Sequence, residues 1–385
     1  MDRRGFISNG AMASVGLAAL PDTALAASAD AAARESVRIA TKGPVQDGIL
    51  RLNHNANPLG IPPKAHAAMM AAMDEVPHYP GPRDETLIAK IAQIHGVSDE
   101  QVVLGAGSTE VIRMAMGAYA SPDARLLQAN PTYENAMDYA EPYTYRLEQV
   151  PLTDDFAHDV ERMRRLAEGW TEPTVVYICN PNNPTGTITP SAELDDWFAS
   201  ASDNVFFIVD EAYYPFVNDS RYWSAEKWAN ERPNVLITRT FSKLYGIAGL
   251  RIGYGICGAD TAERLKLYAT RSNPNTLAVE AAIGALEDEG WYDRSLAIWD
   301  ECKVVVTECL DELELHYFKS HTAFLFHEIR GDQDLYIRRM EENGILVGRP
   351  FPPMLNYNRL SLSATPDGLE RFADTLRMFR RRGWV

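Results

Sequence analysis

The sequence predicts an α/β protein: a large domain of helices layered on a mostly parallel sheet, then a smaller C-terminal α+β domain. Three observations point there. From Gln101 onward, short apolar and β-branched runs alternate with helical stretches. After about Leu277 that alternation gives way to long amphipathic helices with only short strands between them. The turns richest in glycine and asparagine fall at the ends of the apolar runs, where open α/β sheets place their ligand crevices.

The elements follow in chain order. Residues 27–62 read as an irregular arm, because Asn53, Asn55, Asn57, Pro58, Gly60, Pro62 and Pro63 crowd its end. The large domain is expected over residues 63–276. Its apolar runs are Val102–Leu104, Leu126–Leu127, Val175–Cys179, Val205–Val209, Val235–Thr238 and Ile252–Ile256. Uninterrupted runs of this kind suit strands buried on both faces of a sheet. Helices are expected at Thr109–Tyr119, Glu134–Tyr139, Phe156–Glu168 and Ala192–Ala201. The smaller domain, 277–385, carries a helical pattern over Leu296–Leu315 and short strands at Ala323–Ile329 and Leu360–Leu362.

Composition excludes several classes. The 385 residues hold 37 Lys+Arg against 53 Asp+Glu, a net charge of −16, whereas a nucleic-acid binder needs a basic face. No apolar run approaches the ~18–20 residues of a membrane span. Four cysteines in so long a chain make no disulfide scaffold. Cys302 and Cys309 lie about 10 Å apart along one helical pattern, too far to bridge, so four buried free thiols are expected. The eight histidines are scattered and suggest no metal-ligand set.

Residues 1–26 read as a removable export signal. Arg3-Arg4-Gly5-Phe6-Ile7 opens the chain, a mild apolar stretch runs from Gly10 to Leu20, and Ala24-Leu25-Ala26 precedes Ala27. The arginine pair resembles a bacterial twin-arginine signal, which implies a folded passenger and a periplasmic destination. Removing the segment takes away Asp2, Asp22, Arg3 and Arg4, so the charge stays at −16.

Four segments carry chemistry. Gly105-Ala106-Gly107-Ser108-Thr109-Glu110 follows one strand and opens a helix, a place where free N–H groups and the helix dipole suit an anion such as a phosphate. Asn180-Pro181-Asn182-Asn183-Pro184-Thr185-Gly186 fixes an irregular turn that presents the Asn183 amide. Asp210 ends the apolar strand Val205–Val209, where a carboxylate is costly unless a cation or strong donors meet it. Capping the next helix is an equally good use of it. Lys243 sits in the apolar, glycine-flanked stretch Thr240–Tyr254, where desolvation would make its amine nucleophilic. Arg251, Thr240 and Ser242 in the same stretch could hold a phosphate.

The ordered set, from Gly105–Glu110 through Pro131-Thr132-Tyr133, Asn180–Gly186 and Val209–Tyr213 to Thr240–Tyr254, closely resembles the fold-type I, class I/II aminotransferases. These enzymes use pyridoxal 5′-phosphate, and the likeness is strongest to their histidinol-phosphate aminotransferase branch. The resemblance implies that Lys243 bonds the cofactor and moves the catalytic proton. Asp210 would pair with the ring nitrogen. Asn183 and Tyr213 would donate to the ring's phenolic oxygen, and Tyr133 would stack on its face. Gly107, Ser108, Thr109, Thr240, Ser242 and Arg251 would form the phosphate cup.

The resemblance also implies that Arg359 grips the substrate α-carboxylate with its planar fork. Tyr79 would reach the cofactor phosphate of a neighbouring subunit, which implies a homodimer. The arm reads Asn55-Ala56-Asn57-Pro58 where the family commonly has Asn-Glu-Asn-Pro, placing Asn57 beside the substrate. Arg349 lies near the position where histidinol-phosphate enzymes hold the substrate phosphate. The expected reaction is ping-pong transfer of an amino group from an amino acid or related amine to a 2-oxo acid. An exported enzyme would act outside histidine biosynthesis, on another substrate such as an aromatic or modified amino acid. The same fold also supports decarboxylases, lyases and racemases, and could in principle bind the cofactor without turnover.

Overall fold

The computed structural model describes residues 45–46, 48–80 and 83–385, so the export signal read at 1–26 lies outside the described residues. The arm contributes two short strands, β1 (Val45–Gln46) and β2 (Ile49–Arg51). Helices α1 (Pro63–Ala71) and α2 (Arg83–His95) lead to β3 (Val102–Gly105) and α3 (Ser108–Ala118). Strands β4 (Arg125–Asn130) and β5 (Arg146–Pro151) follow, then α4 (Val160–Glu168), β6 (Thr174–Cys179), α5 (Ser191–Ser200) and β7 (Val205–Asp210). Helix α6 (Glu226–Glu231), β8 (Val235–Thr240), β9 (Gly253–Ile256), α7 (Ala259–Lys266) and α8 (Thr276–Leu286) complete the run.

These strands form one seven-stranded sheet in the order β3-β9-β8-β7-β6-β4-β5. Only β9 runs against its neighbours; the β8-β7-β6-β4-β5 pairings are all parallel. Both faces are covered, as the alternation along β6 and β7 shows. Val176, Ile178, Phe207 and Val209 enter one apolar cluster, while Val175, Tyr177, Phe206 and Ile208 enter another. A strand buried on both sides has no polar face to alternate, which is why its sequence reads as an unbroken apolar run.

The chain then crosses into a second core. Helix α9 (Trp291–Glu312), β10 (Phe324–Glu328), α10 (Gln333–Glu342), β11 (Ile345–Leu346), β12 (Tyr357–Ser361) and α11 (Pro366–Arg381) build it. Trp299, Cys302, Val306, Phe324, Leu360 and Phe372 pack together there. Helix α8, counted by the sequence with the smaller domain, instead sends Ala278, Val279, Ala281 and Ala282 into the core of the large sheet.

Two further readings are corrected. The arm is not wholly irregular: β2 pairs in parallel with β11, and Leu50 and Leu52 are fully buried in the second core. Its hydrogen-bond partners lie almost 300 residues away, beyond any local signal. The helix expected at Glu134–Tyr139 is a single 3-10 turn at Met137–Tyr139. All four cysteines are free and buried. Among the described residues no helix is long and apolar enough to cross a membrane.

Candidate active site

The carboxyl ends of β6, β7 and β8, the start of α3 and the arm converge on a cavity of about 260 Å³. Ser108, Thr109, Tyr133, Asn183, Asp210, Tyr213, Thr240, Ser242, Lys243, Arg251 and Arg359 all line it. Sequence positions 250 residues apart thus meet in one place. A larger cavity of about 880 Å³, walled by residues such as Phe216, Trp299 and Lys303, contains none of these motifs.

One side of the cavity is an anion cup. Gly107, at φ +77°, lets the chain turn directly into α3, so the helix begins with unpaired N–H groups at Ser108 and Thr109. Glu110 fixes the turn from behind: it is buried, and its carboxylate accepts from Ala106 N at 2.7 Å. A Cβ on Gly107 would stand 2.5 Å from Arg251 Nη2, and one on Gly253 would stand 2.4 Å from Ser108 N. Glycine is therefore required at both positions for the cup to close. Thr240 Oγ1 donates to Ser242 Oγ at 2.8 Å. The Arg251 guanidinium lies 3.5 Å from that oxygen and donates to Ala248 O at 2.9 Å. Arg251 holds a left-handed backbone, φ 61°, a conformation costing a non-glycine residue ~1–3 kcal/mol.

Asp210 is buried, and burial raises its pKa above the ordinary carboxylate value. It accepts from Tyr177 OH at 2.9 Å and from Ala212 N at 3.1 Å. The second contact is local, and it does not cap a helix: the next helical turn, Tyr214–Phe216, starts from Tyr213 with no side-chain cap. Among the described residues no Lys, Arg or His forms an ion pair with it. Lys243 Nζ lies 3.4 Å from His54 O, and burial, with Arg359 and Arg251 nearby, pulls its pKa down to about 8. Arg359 donates to Asn183 Oδ1 at 2.7 Å and to Asn53 O at 3.0 Å, leaving its buried Nε without a partner. Tyr213 OH receives Asn55 Nδ2 at 2.8 Å, so its own proton is available.

Four predicted residues do not line the cavity: Gly107, which only turns the chain into α3, and Asn57, Arg349 and Tyr79. Asn57 is buried but spends its amide on the fold, donating to Leu244 O at 2.7 Å and accepting from Leu59 N at 2.9 Å. It anchors Leu244, the residue after Lys243. Arg349 is exposed and ion-paired with Glu134. Tyr79 is 86% exposed on its own chain. The sequence reading overlooked His54 and Asn55, which do line the cavity. Their signal was the asparagine cluster of the arm, read there as turn chemistry.

The family model for class I and II aminotransferases matches residues 47–376. The chain belongs to this family. It is 33% identical over 310 residues to histidinol-phosphate aminotransferase 1 of Nitrosococcus oceani, covering 80% of this chain and 82% of that protein. A crystal structure of a histidinol-phosphate aminotransferase candidate from Erwinia carotovora atroseptica superposes with TM-score 0.86 at 35% identity. The match covers 89% of this chain and 99% of the other. The enzyme from Sinorhizobium meliloti, solved with pyridoxal 5′-phosphate, shares the fold with TM-score 0.78 at 23% identity, covering 87% and 91%.

The cavity of this aminotransferase fits pyridoxal 5′-phosphate on its own chemistry. The cup offers a helix start, the hydroxyls of Ser108, Thr109, Thr240 and Ser242, and Arg251 to a dianion. Lys243 is the amine that can bond an aldehyde. Asp210, a buried carboxylate lacking a cation, suits a protonated pyridine nitrogen.

Proposed function

We propose that this aminotransferase transfers the amino group of an amino acid or related amine to a 2-oxo acid, in two half-reactions at the Lys243 cavity. The observation that carries the reading is the amine of Lys243, near-neutral in pKa, sharing one small cavity with Asp210 and Arg359. When bound, pyridoxal 5′-phosphate supplies an electron-withdrawing ring that acidifies the donor's Cα–H bond and stores the amino group between half-reactions.

Every other part falls to the chain. The donor's carboxylate would dock on Arg359, whose orientation Asn183 and the Asn53 carbonyl fix. With the cofactor bound, Lys243 Nζ would take the donor's Cα proton and deliver it back on the other side of the transfer. A pKa near the working pH lets one nitrogen serve as both base and acid. Asp210 would balance the ring's positive charge, Asn183 and Tyr213 would donate to the phenolic oxygen, and Tyr133 would cover one face. Incubating the holoprotein with a panel of amino donors should change the absorbance of the bound cofactor for those it accepts. Lys243→Ala should bind cofactor yet lose turnover; full activity in that variant would sink the assignment.

A homodimer accounts for Tyr79. This large aromatic is exposed with Met70, Met73 and Val76 along one short stretch, a pattern that suits a subunit interface. Sedimentation of the holoprotein as a monomer would count against it. For export, the three-part pattern of residues 1–26 supports the periplasm. Mass spectrometry of a periplasmic fraction should find a mature start near Ala27, and an intact Met1 in cytoplasm would refute it.

A further inference from the structure

The charges around the cavity carry information about the substrate's side chain. Among the described residues, three cations line the cavity: Lys243, Arg251 and Arg359. The first two would be taken by the cofactor and its phosphate, and the third by the donor's carboxylate. A fourth cation, the guanidinium of Arg349, stands beside this set. Its Cζ lies 4.1 Å from the ring centre of Phe351, and that of Arg359 lies 4.9 Å from the same ring, so one aromatic links the two arginines. Burial lowers the pKa of Arg359, and Arg349 adds to that lowering, so Arg349 lies within electrostatic reach of the site.

Arg349 is already engaged. Nη2 pairs with the carboxylate of Glu134, the residue following Tyr133, and Nη1 donates to Pro350 O at 2.8 Å. Glu134 arrives from the large-sheet half of the molecule and Arg349 from the second core, so the pair closes across the two. An anionic group on a substrate side chain would have to displace Glu134 from Arg349 and would meet its negative charge. An uncharged side chain meets neither obstacle.

Resting on the carboxylate reading of Arg359, we propose that Glu134 is a specificity-determining residue. By neutralising Arg349, it selects donors and acceptors with uncharged side chains over dicarboxylates and phosphorylated amines. This separates the chain from the substrate in the names of its relatives.

The test measures binding of succinate and glutarate against butyrate and valerate to the holoprotein at constant ionic strength, by calorimetry and by the cofactor's absorbance. The wild type should bind each dicarboxylate no tighter than the monocarboxylate of equal length. Glu134→Gln should tighten the dicarboxylates roughly tenfold or more, the gain expected for one charge-assisted hydrogen bond, and leave the monocarboxylates unchanged. Adding Arg349→Gln to that variant should abolish the gain. A purely structural role for Glu134 would shift both acids together and overturn the inference. So would a wild type that already prefers dicarboxylates tenfold, or an unchanged ratio in Glu134→Gln, while the reading of Arg359 would stand. Binding of neither class would overturn that reading and the inference with it.

Discussion

Arg359 Nη1 donates to Asn183 Oδ1 at 2.7 Å, joining residues 176 apart in sequence. One comes from strand β12 of the second core and the other from the turn after β6 of the large sheet. The bond fixes the plane of the guanidinium while its buried Nε remains without a partner. A fork held in this way is prepared for a planar carboxylate. Arg359→Lys keeps the charge and discards the fork. Its kcat/KM for amino acid donors should fall about 30- to 100-fold, the equivalent of ~2–3 kcal/mol for charge-assisted bonds. Steady-state kinetics check this, and an unchanged kcat/KM would remove Arg359 from the site.

The anion cup depends on two glycines whose Cβ positions are already taken. Gly107→Ala would push against Arg251, and Gly253→Ala against the Ser108 backbone. The second is the more severe, because the obstacle is main chain and cannot rotate away. Both variants should weaken binding of pyridoxal 5′-phosphate more than binding of pyridoxal, which lacks the phosphate. Equilibrium dialysis separates the two ligands, and equal losses would place the damage elsewhere.

Attachment of cofactor to the apoprotein should report the depressed pKa of Lys243. Only the neutral amine attacks an aldehyde. With a pKa of about 8, the rate should rise roughly tenfold per pH unit below that value and level off above it. A lysine at its ordinary 10.5 would still be accelerating at pH 10. Stopped-flow absorbance over pH 6–10 distinguishes the two curves.

Stability should decline in mild acid through two histidines that have no part in catalysis. His158 and His327 are fully buried, and desolvation lowers each pKa from 6.5 to about 4. Below 6.5 the unfolded chain takes up protons that the native state refuses, so stability present above pH 6.5 is lost as the pH falls toward 4. The limiting slope is about 1.4 kcal/mol per pH unit for each residue. Denaturant unfolding of the wild type and of His158→Asn between pH 7.5 and 5 should show a shallower slope in the variant. Equal slopes would contradict the assignment.

The legible parts of this protein were those with local causes. Strands β6 and β7 read as apolar runs because both faces are buried, and the cup's residues could be singled out because glycines, a helix start and hydroxyls adjoin in sequence. What escaped depended on distant partners. Strand β2 exists because β11 offers it hydrogen bonds, and the edge strand β5 buries Val150 alone. Asn55 and Asn57, two residues apart, have opposite fates: one lines the cavity, and the other ties down Leu244. No spacing rule separates them, because the difference is made by which element packs against each side of the arm.

The most direct test of the central claim follows the nitrogen itself. Holoprotein supplied with a ¹⁵N-labelled amino acid donor and an unlabelled 2-oxo acid should yield the ¹⁵N-labelled amino acid of the acceptor, read by mass spectrometry. The donor should appear as its own 2-oxo acid with its carboxylate intact, and Lys243→Ala should give neither product. Release of carbon dioxide or free ammonia in place of labelled amino acid, or equal transfer by Lys243→Ala, would contradict the account.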